Sequence, residues 1–166
     1  MKYTEFPYKR IDIENSKSDI ADIVRRLSKS NNSTEQIKSI MEMDTIMREY
    51  SSYEAIASLN FSRNINDTSA KKEKDYYDSI SPDMIEAKDN FDKAVNQAKF
   101  KDEISKRFGN TYFKQIEIAL KTFDPKIKEL LKEEINLKNE YTKLTAGAKI
   151  NYRNKKYNLA GLGPFH

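Results

Sequence analysis

The chain contains no cysteine, and its one histidine is the last residue, His166. Disulfides are therefore excluded. A zinc centre, which needs three or four donors drawn chiefly from His, Cys and carboxylates, has almost nothing to start from. A Ser-His-Asp or Cys-His relay would have to place its base on a fraying chain end. Glycine and proline are scarce as well, at 4 each in 166 residues, which argues against a sheet protein with many turns. No run of 18 apolar residues occurs, so no membrane-spanning helix is expected, and the N-terminus lacks the apolar core of a signal peptide. Neither sign of charge dominates: 30 basic and 26 acidic residues give a net charge of +4, interspersed along the chain as on a solvated surface. These absences lead to the expectation of a soluble cytoplasmic protein, without nucleic-acid or membrane partners.

What is present is helical periodicity. The length suits one domain able to bury about two-thirds of its unfolded surface. The fold class expected is all-α: an antiparallel helical bundle with long helices, an extended N-terminal arm and a small C-terminal β-hairpin. Residues 1–15, with Pro7 and the alternating Phe6, Tyr8, Ile11 and Ile13, predict an arm laid on another surface. Residues 16–148 predict the helical domain. Ser16 opens a first helix through Ile20, Ile23, Val24 and Leu27, with acid early and base late as the helix dipole prefers. Ser33 and Gln36 form a capping-box pattern for a second helix reaching about Ser62. Asp67 caps a third, in which Ser81-Pro82 marks either a fresh start or a kink. A shorter helix through Phe100, Ile104 and Phe108 stops at Gly109. Residues 111–123 form another, and Asp124-Pro125 caps a last helix ending near Ala148. Residues 149–166 alternate around Arg153–Lys156 as a hairpin. Such a hairpin is marginal alone, so it is expected to lie on the helices or to join a larger sheet. The sequence Leu159–His166 is a turn signal that leads one to expect more chain.

No catalytic, cofactor-binding or metal-binding residue is expected in this chain. Glu129, Glu133 and Glu134 could suggest a di-metal bundle, but the two Glu-x-x-His motifs that such sites need are missing. The basic runs Lys71–Lys74 and Arg153–Lys156 are short and diluted by acids, and read as solvated surface. Gly161 and Gly163 lack the frame of a phosphate loop and read as a turn.

Several stretches in order carry a family resemblance. They are Asp67-Thr68 with Tyr76–Pro82, Phe108–Phe113, Ala119–Pro125, Glu134–Leu137 with Glu140–Leu144, Ala146–Ile150, and Tyr157–Leu159 with Leu162–Phe165. Together they resemble the N-terminal region of oligoendopeptidase F, in the thimet oligopeptidase-like (M3) family of zinc metallopeptidases. The opening phrase Phe6–Asp12 is similar to that family's, except that Ile11 stands where proline more often follows the arginine. The resemblance implies a parent enzyme that hydrolyses short peptides with a zinc held in a His-Glu-x-x-His helix far downstream. Nothing of that motif occurs here, so no catalytic residue carries over and this piece is expected to be inactive alone. It also implies that these helices form part of the wall of a substrate channel. The expected partners are the remaining, catalytic part of the peptidase and, in the parent, short peptides; uncovered apolar surface would permit self-association. The alternative expectation is a complete helical protein-interaction module without catalysis.

Overall fold

The computed structural model describes residues 7–122 and 124–165. The expectations for Phe6, Phe123 and His166 lie outside the described residues. Six α-helices make up the described part: α1 (Ile13–Lys29), α2 (Ser33–Arg63), α3 (Thr68–Asn96), α4 (Lys101–Phe108), α5 (Tyr112–Thr122) and α6 (Lys128–Gly147). A hairpin of β1 (Ile150–Tyr152) and β2 (Lys155–Tyr157) follows, and a 3-10 segment, Ala160–Phe165, comes after it. The chain is an all-α bundle with a small hairpin, as its periodicity predicts.

Helix starts depart from the sequence reading where another polar residue caps better. α1 begins three residues before Ser16, because the Asp12 carboxylate accepts from the backbone N–H groups of Glu14 and Asn15. Ser16 instead donates its hydroxyl to the Asp12 carbonyl. α2 is capped by Asn32, whose side chain accepts from Thr34 N–H, and the Ser33/Gln36 box does not form. Gln36 is drawn into the core instead. Its amide donates to the Leu27 carbonyl at 3.1 Å, satisfying the end of α1, and its Oε1 accepts from Phe100 N–H at 3.4 Å.

α3 passes through Pro82 without a break. Proline removes one helical hydrogen bond and crowds the preceding turn. Burial outweighs that cost: Tyr77, Ile80, Met84, Phe91 and Val95 are all buried along the same helix, and each such side chain contributes about 2 kcal/mol on burial. At the last helix Asp124 accepts from Lys126 N–H, but the turn it closes is 3-10, and the α-helix starts only at Lys128.

The main core joins α1 to α5 through Ile20, Leu27, Ile40, Met84, Val95, Ile104 and Ile116. A second cluster, Ala57, Tyr77 and Ile80, lies beneath the arm, where Tyr8, Ile11, Tyr50 and Tyr53 cover it. Gly109, at φ +96°, ends α4 in a conformation that costs glycine nothing. In the hairpin, Tyr152 pairs with Lys155 across a two-residue turn, with Arg153 and Asn154 at φ 48° and 61°, as a type I′ turn requires. It packs on the 3-10 segment, where Phe165 meets Tyr152 at 5.3 Å and Tyr157 at 5.4 Å between ring centroids.

Candidate functional site

The polar groups that the sequence singles out are placed apart. Glu129 pairs with Lys132 at 2.9 Å and Glu134 with Lys138 at 2.6 Å, both at the surface of α6. Among the described residues, no three His, Cys, Asp or Glu side chains gather as they would around a metal ion. The basic run on α3 is divided among partners: Lys71 pairs with Asp75, Lys74 with Asp78, and Glu73 turns to the arm. Arg153 lies over Tyr152 and Phe165 at the hairpin tip, 5.2 and 5.8 Å from their ring centres. Gly161 gives its N–H to Asn158 Oδ1 at 2.8 Å, so that amide is not free to cradle a phosphate.

Two features escaped sequence reasoning because they depend on how helices pack. The first is an open cavity of about 510 Å³ between α2, α3, α5 and the end of α4, lined among others by Met43, Met47, Phe91, Phe108, Tyr112 and Ile116. Asp44, Lys88, Asp92 and Gln115 also line it, and of these Asp92 is the buried one, 5% exposed and paired with Lys88 at 2.5 Å. Burial pushes the Asp92 carboxyl above its ordinary value, against the pull of the Lys88 ammonium. Burial, with the nearby charges of Asp92 and Asp44, pushes the Tyr112 phenol up to about 12. Asp44 is itself engaged by Arg48 at 3.0 Å.

The second feature is the surface of α6. Lys128 at its start reaches Asp83 and Glu86 of α3 at 2.5 and 2.8 Å, and Asn139 donates to Asp78 at 2.7 Å. The two carboxylates raise the Lys128 pKa and hold it charged. At 100° per residue, Leu131, Ile135 and Thr142 share the side that carries these anchors, and all three are half-buried. Leu130, Leu137, Tyr141 and Leu144 lie within about 60° of one another on roughly the opposite side. They are 62%, 58%, 68% and 74% exposed. A helix with an apolar stripe on each side is one built to be sandwiched. Here only one side is covered, which makes the outer stripe the candidate functional surface of the chain. Four large apolar side chains in a row distinguish it from the scattered single exposures normal on any surface.

The same fold occurs in known peptidases. The structure of PZ peptidase A with an inhibitor superposes with a TM-score of 0.93 at 30% identity, over 99% of this chain and 29% of that one. A structure assigned by name to oligoendopeptidase F gives the same figures, 0.93 and 30%, over 99% and 29%. A third, assigned likewise and from Bacillus anthracis str. Ames, gives 0.93 at 25% identity over 99% and 30%. The chain thus spans under a third of the length of these structures. No curated protein matches it. The family model for the peptidase M3 N-terminal domain matches residues 3–123, and the chain belongs to that family.

Proposed function

We propose that this chain serves as the helical N-terminal part of a cytoplasmic zinc oligopeptidase, where it forms part of the wall of the channel that admits short peptides, and that it has no activity alone. The observation that carries this reading is the near-complete superposition on less than a third of PZ peptidase A, with an apolar face of α6 left uncovered. The remainder of the peptidase is the partner that such a face needs.

The zinc that the family implies does not fit the residues present. With no cysteine, one histidine, and no convergent trio of acids among the described residues, the donor set is wrong for it. Metal and hydrolysis are therefore assigned to residues of the parent peptidase beyond this chain. Among the described residues no helix is long and apolar enough to cross a membrane.

The test is peptide cleavage. The purified chain, freed of host peptidases and supplied with zinc, should not cleave a quenched-fluorescent short peptide above buffer. Joined to the continuation of its reading frame, through a His-Glu-x-x-His helix, it should. Cleavage by the isolated chain would overturn the reading. A natural stop codon after His166 would do so too, and would favour a self-standing interaction module.

A further inference from the structure

We propose that the outer face of α6 is a seam for one partner α-helix, which carries apolar side chains at seven-residue spacing and a basic side chain at the level of Glu134. The proposal rests on the reading above, in which the partner helix comes from the peptidase chain beyond the matched segment. Leu130, Leu137 and Leu144 recur at intervals of seven, and Tyr141 stands four residues after Leu137. In heptad terms the leucines hold d, while Glu134 and Tyr141 hold the two a positions within α6. A seven-residue repeat keeps its stripe nearly parallel to the helix axis, which suits another helix crossing at a shallow angle. The leucines span about 21 Å, some two heptads. That is too short for a free-standing coiled coil, so α6 needs α3 behind it and supplies one side of a local seam.

Charge selects the occupant. Glu134 is the one acidic a position, and its side chain is half-exposed beside Lys138. In a parallel pairing with a second copy, the two Glu134 carboxylates would face each other. In an antiparallel pairing, each would be pressed towards leucine. Both arrangements desolvate an anion without a new partner, which is costly. A lysine or arginine opposite Glu134 removes that cost, much as a single polar a position sets partner choice in coiled coils.

The experiment uses the 166-residue chain and two synthetic helical peptides of about 21 residues, at concentrations where each peptide is monomeric. Both carry leucine at the a and d positions except at the central a, which is lysine in one and glutamate in the other. Titration calorimetry should give the lysine peptide a Kd lower by about tenfold or more. Leu137→Lys should abolish binding with the helical circular dichroism unchanged, and Glu134→Lys should reverse the preference between the peptides. Equal binding of both peptides, or binding of neither, would overturn the proposal. So would self-association of the chain that Leu137→Lys dissolves. None of these outcomes bears on the reading frame or on peptide cleavage, so this proposal and the peptidase reading fail separately.

Discussion

Glu73 of α3 grips Arg10 of the N-terminal arm with both carboxylate oxygens, Oε1 to Nη2 at 2.6 Å and Oε2 to Nε at 3.0 Å. The Tyr8 hydroxyl donates to the same Oε2 at 2.5 Å, and the Arg10 guanidinium lies 4.5 Å from the centre of the Tyr76 ring. Two tyrosines then hold the arm backbone: Tyr76 donates to the Ile11 carbonyl at 2.7 Å, and Tyr77 accepts from Ile11 N–H at 3.3 Å. A two-pronged arginine–carboxylate pair is the geometry in which an ion pair at the surface contributes measurably.

The first prediction follows from that grip. Glu73→Gln should leave the bundle folded and loosen the arm, raising hydrogen exchange at Ile11 N–H about fivefold, equivalent to ~1 kcal/mol. The pH dependence has a definite sign. Arg10 holds the Glu73 pKa below its ordinary value, so the contribution is complete above the usual carboxylate range and is lost as pH falls through the depressed folded value. Exchange at Ile11 in the wild-type chain should therefore rise only in acid, after correction for intrinsic rates. Unchanged exchange in Glu73→Gln would show that the tyrosines hold the arm without the ion pair.

A second prediction concerns Gln36, which is 1% exposed and joins three helices. Its amide closes the last turn of α1 at Leu27, and its carbonyl oxygen takes the N–H of Phe100 at the start of α4. Among the described residues no second side chain caps either group. Gln36→Met keeps the volume and leaves the buried Leu27 carbonyl and the part-buried Phe100 N–H unpaired, which should cost about 2 kcal/mol. Urea unfolding should show a lower midpoint with the same slope. A shift under about 0.5 kcal/mol would mean that water replaces the amide.

Gln36 also illustrates what the sequence could show. Helical spacing and strand alternation reflect local periods, so a helical bundle and a small hairpin both appear, although α1 starts at Ile13 and Lys155 and Lys156 belong to β2 and not to the turn. A polar residue three places after Ser33 looks like a cap until the burial of its neighbours is known, because capping and core bonding use the same chemistry. Pro82 reads as a boundary for a similar reason: its local cost is visible in the sequence, whereas the packing around Tyr77 and Met84 that offsets it comes from distant residues. The outer stripe of α6 is written in the spacing of Leu130, Leu137 and Leu144. Its status as a site emerges only once Lys128 and Asn139 fix which side faces α3. The cavity beneath Tyr112 has no sequence signature, since its walls come from four helices.

The last prediction concerns the carboxylate in that cavity. Asp92 is buried with one partner, Lys88, whose own side chain is 47% exposed. Burial raises the folded pKa of Asp92 above its ordinary 3.8. A group raised in the folded state contributes most below its unfolded value, and that contribution is lost as pH rises through the folded one. Charged Asp92 is therefore a cost at neutral pH. Asp92→Asn keeps the shape and removes the charge, and Lys88 can turn to water. The variant should be more stable than wild type by about 1 kcal/mol at pH 7, and the gap should close as pH falls towards the ordinary carboxylate value. An independent readout is Tyr112, which is raised to about 12 chiefly by burial and then by the charge of Asp92. Ultraviolet titration of the phenol should show its pKa falling part of the way towards 10 in Asp92→Asn, with the burial contribution retained. A variant less stable at pH 7, with Tyr112 unmoved, would show that the Lys88 pair outweighs desolvation and that the carboxylate supports the cavity wall.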